Sequence, residues 1–393
     1  MSKPDQIPTD TDSRIGWVDY AKGICMIGVV TVYAVNKLKM AGGDGGWLAY
    51  WADFAKPFRM PDFFLLSGLF LGRVIDRPWR IYFDKKVTHY LYFFVLWSGI
   101  FFVSRSAALH FGLFHSEEEA GSLWYKLLEP FAMLWFIQML PIFFIVTRLL
   151  RSAPAWAVLT VAALLQIFPP SEAVRPSMIV HFCERFIYFY VGYRFAPEFF
   201  ALAARAQARR GLALLGLVTW IFINEMLVLR GFDGSRGISL VLGISGAMGV
   251  ITAGALLQHV RGTAWLRYFG RNSLVIYLGF YLPMLLILAL ARRTNGFLLD
   301  QGTLGLLVSG ISVLAALSLF WATRRNQLSF LFARPGWAHG YGKVGNINGS
   351  HATLPEFHKL APGAERRAAG LEGPSGLNKP CASGGRSLES GGL

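Results

Sequence analysis

Charge is scarce in this chain of 393 residues. Asp, Glu, Lys and Arg together make up 16% of it, where a soluble domain carries about 25%. That is too little to cover a water-facing surface of this size. Cysteine is scarcer still: Cys25, Cys183 and Cys381 are too few and too far apart for a disulfide framework or a zinc site, so no metal and no bound cofactor is expected. Several catalytic signatures are missing. There is no Gly-x-x-x-x-Gly-Lys-Ser/Thr loop, no Gly-x-Ser-x-Gly elbow, no His-Glu-x-x-His and no Cys-x-x-Cys, which argues against an ATP-driven pump, a serine hydrolase and a zinc protease. A cleavable signal peptide is missing too. The first 19 residues are polar and include Asp5, Asp10 and Asp12, so the first apolar stretch is expected to stay as an anchor.

What the chain has in quantity is apolar and aromatic side chains. Hydrophobic residues make up 54%, with 32 Phe, 12 Trp and 14 Tyr, a composition suited to a lipid-facing surface with aromatic belts. A membrane span needs about 20 mostly apolar residues. About ten stretches qualify: 20–38, 57–75, 88–108, 129–150, 154–170, 178–199, 211–229, 238–258, 272–291 and 303–323. The expected fold is therefore an all-α, polytopic membrane helix bundle of about ten transmembrane helices in a lipid bilayer. With the N-terminus inside, the inside loops hold fourteen Lys and Arg and the outside loops nine, so both termini are expected to face the cytoplasm. The net charge of +15 then reads as cations at helix ends, and no nucleic-acid partner is expected. No internal repeat is visible, which speaks against an inverted-repeat transporter. Residues 1–13 form a polar N-terminal segment. The glycine-rich stretch 336–393 is expected to be a disordered cytoplasmic tail.

Ionisable side chains inside apolar spans are costly and point to function. Four groups stand out. Asp19 and Lys22, three apart at the start of the first span, can pair on one helix face. Tyr33 lies eleven residues beyond Lys22, about three turns and 16 Å further along the same face. Arg59 and Asp62, also three apart, flank Pro61, which removes an amide donor and breaks the helix; they can pair beside a substrate cavity or serve as a buried structural pair. Lys85, Lys86 and His89 can share the face of a helix entering the third span, where cations suit coenzyme A phosphates or lipid headgroups. His181, Glu184, Arg185 and Tyr188 follow an i, i+3, i+4, i+7 pattern on one helix face, with Glu184 and Arg185 expected to pair. His181 is either a base or a donor to a carbonyl.

Five segments carry a resemblance: WVDYAKGICMIGVV (17–30), FRMPDFFLLSGLF (58–70), LWFIQMLPIFF (134–144), ERFIYFYVGYRFA (184–196) and YFGRNSLVIYLGFYLP (268–283). Together they resemble acyltransferase family 3, polytopic membrane proteins that transfer acyl groups, usually acetyl, to hydroxyls of sugars and cell-envelope glycans. The resemblance covers residues 14–335. It implies acyl-CoA, acetyl-CoA foremost, as donor substrate from the cytoplasm, a sugar or glycan acceptor, and a place in a bacterial inner or plasma membrane. It also implies catalytic roles among Tyr33, Asp19, Lys22, His89, His181, Glu184 and Arg185, and donor binding by Lys85, Lys86, Arg59 and Asp62. Tyr33 stands where the family carries a histidine in its first helix, Lys86-Val-Thr-His89 stands in place of its Arg-x-x-Arg, and Phe280 stands in place of a late histidine. Attack of a hydroxyl on a thioester needs a general base, worth about 10²–10⁴-fold, and a Tyr hydroxyl with a pKa near 10 is a poor one. His89 or His181 can take that role. The alternatives are a catalytically degenerate scaffold, or a glycan or lipid transporter or flippase.

Overall fold

The computed structural model describes residues 15–338 apart from 111–121, 132, 172, 175, 236 and 294–299. The segment 1–13, the stretch beyond 338 with Cys381, and Arg14, Arg175 and Arg236 lie outside the described residues. Among those described there is no strand. The helices are α1 (Gly16–Met40), α2 (Trp47–Ala55), α3 (Arg59–Gly68), α4 (Trp79–Phe83), α5 (His89–His110), α6 (Leu123–Leu128), α7 (Trp135–Leu149), α8 (Ala155–Ile167), α9 (Ser177–Arg194), α10 (Ala196–Ala208), α11 (Arg210–Leu229), α12 (Ile238–Leu257), α13 (Ala264–Arg271), α14 (Ser273–Gly279), α15 (Tyr281–Arg293) and α16 (Gln301–Thr323).

Six of these helical stretches are long and apolar enough to cross a membrane, or seven if the bent pair α14–α15 counts as one span. The expected ten is not met, for three separate reasons. The stretch 57–75 is broken into the ten-residue α3 and a 3-10 turn, Leu71–Arg73, neither long enough to cross. The stretch 154–170 is the thirteen-residue α8. Helix α9 has 18 residues, but His181, Glu184, Arg185 and Arg194 dilute its apolar character. Of these, α3 and α9 are largely buried among the other helices, whereas α8 keeps Trp156, Val161 and Leu164 exposed.

Helix α1 is the central post. Of its apolar stretch 78% is buried inside the bundle, against 6% for α11 at the periphery. Small residues let neighbours come close to it. A side chain at Gly270 would run into the Asp19 carbonyl, and one at Gly23 into that of Leu266, so α1 and α13 touch backbone to backbone. Helices α3 and α9 cross in the same way: side chains at Gly68 and Gly192 would strike the carbonyls of Phe189 and Leu65. Rings fill the space between. Phe64, Phe143, Phe144 and Phe189 are fully buried, and neighbouring rings among them meet tilted or edge-on with centroids 5.0–5.6 Å apart across α3, α7 and α9.

Two irregularities aim side chains. Between α4 and α5 the helix widens into a π-turn, Asp84–Thr88, a form common at functional sites; it turns Lys86 inward while Lys85 stays exposed. The turn is pinned from afar by Arg334, whose Nη1 donates to the Asp84 carbonyl at 2.7 Å and whose Nη2 pairs with the Asp84 carboxylate. Between α14 and α15 the chain bends by 44°, which presents Phe280 and Tyr281 to α1.

Candidate functional site

Two polar layers lie along α1, separated by the eleven residues from Lys22 to Tyr33, about 16 Å. The layer at its C-terminal end gathers five of the sequence-predicted residues from three helices. Tyr33 of α1 makes a side-chain hydrogen bond with Trp135 at the start of α7 and lies in the field of Arg59 of α3 and Arg185 of α9. An indole N–H only donates, so the Tyr33 oxygen accepts. The Tyr33 ring meets Phe280 and Tyr281 edge-on, with centroids 5.7 and 6.2 Å apart. Trp135 serves as a platform: its ring centroid is 4.6 Å from that of His181 and 4.7 Å from the Arg185 guanidinium. Arg185 Nη1 lies 3.3 Å from His181 Nδ1 and also pairs with Glu184. An arginine can only donate, so Nδ1 accepts and the neutral imidazole carries its proton on Nε2. Arg59 and Arg185 act on one another as like charges, and the Arg59 Nε is buried without a hydrogen-bond partner. Tyr33, Arg59, His181, Glu184 and Arg185 are all half-buried. Two guanidiniums, a phenol and an imidazole, with Glu184 paired to Arg185 and with Glu129 and Asp53 acting on His181 and Arg59 from further off, make a donor-rich cluster suited to a developing oxyanion.

Asp62 does not pair with Arg59. It is 1% exposed and faces α1, where Cys25 Sγ donates to its Oδ2 at 3.8 Å while Oδ1 has no partner. The reason is geometric: Arg59, in the first turn of α3, points to the Tyr33 layer, and Asp62 lies one turn deeper, between the layers.

The other layer surrounds the N-terminal end of α1. Asp19 is held from across the bundle, not by the expected neighbour on its own helix: Arg271 Nε donates to its Oδ2 at 3.1 Å and Arg267 stands at 3.8 Å. The α1–α13 contact through Gly23 and Gly270 makes that reach possible. Lys22 and Lys86 are both buried and feel one another's charge, with Arg77 and Lys85 nearby. The Lys86 ammonium stands 4.9 Å over the Phe144 ring. Arg148 of α7 stacks on Trp79 and Tyr82 at 4.1 and 4.3 Å and donates to the Arg77 carbonyl at 2.6 Å, leaving Nε and Nη1 without partners. His89 packs edge-on against Tyr90 and Phe93 at 5.4 and 5.1 Å. It belongs to this layer, so it does not join Tyr33.

Sequence reasoning missed Trp135, Arg148 and Arg271. Trp135 and Arg271 sit in the segments 134–144 and 268–283 that carry the resemblance. Arg148 was visible only as one more loop-end cation. Among the described residues no group of three His, Cys, Asp or Glu side chains is placed to hold a metal ion.

The comparisons with known proteins agree with this architecture. The chain is similar to the inner membrane protein YcfT of Escherichia coli K12, 21% identical over 286 residues, which is 66% of this chain and 77% of that protein. No solved structure matches. A family model described as an acyltransferase domain, Acyl_transf_3, matches residues 15–325. That span takes in every helix of both polar layers, and the chain therefore belongs to acyltransferase family 3, as a multi-pass membrane protein.

Proposed function

We propose that this protein is a membrane-bound O-acyltransferase that moves an acyl group, acetyl foremost, from acyl-CoA to a hydroxyl of a sugar or envelope glycan. The observation that carries the reading is the meeting of Tyr33, Arg59, His181 and Arg185 around Trp135. The cationic layer of Lys22, Lys86, Arg77 and Arg148 is the donor end. It faces the cytoplasm, and its charges balance the phosphates of coenzyme A. In the transfer, the acceptor oxygen attacks the thioester carbonyl, a C–O bond forms and the C–S bond breaks. Arg59 and Arg185 stabilise the oxyanion as it develops, an effect of about 10²–10³-fold per donor. The hydroxyl proton goes to His181 Nδ1 and then to the coenzyme A thiolate. Arg185 lies against Nδ1; drawn to the carbonyl oxygen, it uncovers the base. The Tyr33 O–H donates to the acceptor oxygen and orients it.

Acceptor-dependent release of coenzyme A from purified protein tests this. Tyr33→Phe keeps the ring and removes the hydroxyl, so activity falls about 5- to 150-fold. His181→Ala removes the base and loses about 10²–10⁴-fold. A degenerate scaffold is favoured by one observation, the tyrosine at the family's histidine position. If that alone silenced the chain, Tyr33→His restores transfer. No release from wild type or from Tyr33→His, in folded protein with a broad acceptor panel, overturns the acyltransferase reading.

A further inference from the structure

A groove of about 890 Å³ runs between α10, α11 and α12, and no residue of the two polar layers lines it. Leu202, Leu212, Gly216, Trp220 and Met248 line it, and at one end stand Arg205 and Arg209. None of the residues lining it is acidic. We propose that this groove holds one chain of an anionic phospholipid, with the lipid phosphate on Arg205 and Arg209. The inference does not depend on the proposed transfer reaction.

Three features define the occupant. First, position: the apolar span of α11 begins at Arg210, so Arg205 and Arg209 stand at the level where headgroup phosphates lie. Second, length: from Arg209 to Trp220 is eleven residues, about 16 Å along the helix axis, close to the roughly 15 Å depth of one leaflet of a 30 Å hydrocarbon core. Trp220 closes the deep end, its ring packed edge-on against Phe54 and Phe58 at 5.8 and 5.2 Å. Third, the groove faces outward. Only 6% of α11's apolar stretch is buried by protein, and a side chain added at Gly216 would meet nothing within 4 Å. An apolar channel one leaflet deep, open to the bilayer and capped by two cations, matches a lipid tail joined to an anionic head.

Native mass spectrometry of the full chain, released from detergent with phosphatidylglycerol or phosphatidylcholine added, tests the site. Wild type should retain one phosphatidylglycerol in preference to phosphatidylcholine. The double variant Arg205→Ala/Arg209→Ala should lower phosphatidylglycerol retention roughly 30-fold, toward the phosphatidylcholine level. Gly216→Leu fills the channel and should abolish retention of both lipids with both arginines in place. These positions are exposed, so folding should be kept. If Gly216→Leu does not fold, Leu212→Trp narrows the same channel from an exposed position. Retention that survives the arginine changes overturns the headgroup assignment. Retention that survives the filled channel reduces the effect to diffuse surface charge and overturns the site. A dimer mass that Gly216→Leu dissolves means that a second copy covers this face, and overturns the lipid.

Discussion

A single lysine shows how burial changes the meaning of a residue. Lys85 and Lys86 are neighbours in sequence, yet Lys85 is exposed and Lys86 is buried against Phe144 and near Lys22. Only Lys86 can act on a phosphate group within the bundle. Lys86→Ala should weaken acyl-CoA binding at low salt and less at high salt, because exposed ends of the interaction are screened within about 10 Å at 0.1 M salt; equilibrium binding at two ionic strengths reads this out. Lys85→Ala should change little at either. Arg185 is the other residue whose role depends on geometry. Its guanidinium touches His181, Glu184 and Trp135 together, which needs a planar fork that lysine lacks. Arg185→Lys keeps the charge and loses the fork, so kcat should fall about 10²–10³-fold with donor binding unchanged. Measured kcat with an unaltered donor Kd would support this; a change in donor Kd alone would place Arg185 at the wrong end of the molecule.

At the scale of elements, the site depends on helices that do not cross the membrane by themselves. Helix α13 is eight residues long, yet it supplies Arg267 and Arg271 to Asp19. Its approach rests on Gly270 and Gly23. Gly270→Ala inserts a methyl group against the Asp19 backbone, and overpacking of this kind costs about 1–3 kcal/mol. We expect a lower Tm, and lower activity through displacement of α1. Gly211→Ala, at a helix position with open space around it, should leave Tm unchanged or slightly raised. The short α3 and the bent α14–α15 pair follow the same logic. Their irregular backbone places Arg59 at one layer and the Phe280 and Tyr281 rings beside Tyr33, and it survives at membrane depth because protein surrounds it.

At the scale of the whole molecule, the donor and acceptor ends require that the two layers face opposite sides of the membrane. The proposed donor layer, Lys22, Arg77, Lys86 and Arg148, shares its end of α1 with Arg267 and Arg271. With that end inside, a reporter active only in the cytoplasm should be active when fused after Arg325. A silent reporter on stably expressed protein would reverse the orientation and remove the donor assignment. The segment from Gln327 to Phe332 wraps back onto α5, where Tyr92 and Trp97 donate to the carbonyls of Phe330 and Leu331, each at 3.0 Å. Thus residues 327–332, just after α16, are part of the bundle.

Composition and hydropathy determined the class of this protein, because a chain this poor in charge and this rich in apolar runs has no soluble solution. They also picked out Tyr33, Arg59, His181 and Arg185, since a polar side chain inside an apolar run is conspicuous on a linear string. The Glu184–Arg185 pair was legible for the same reason, lying on adjacent residues. What the string could not supply is which of these residues meet. Helical spacing pointed Asp19 to Lys22 and Arg59 to Asp62, whereas the tertiary structure joins Asp19 to Arg271, 252 positions away, and Asp62 to Cys25. Spacing along one helix ranks only neighbours on that helix, and in a bundle the stronger partner comes from whichever helix packs closest. The count of about ten spans is not confirmed, for a related reason: six or seven of the described helices are long and apolar enough. Hydropathy reads each stretch as though lipid surrounded it, but α3 and α9 lie buried against other helices, where short or polar segments are stable, and only the packing decides which helices those are.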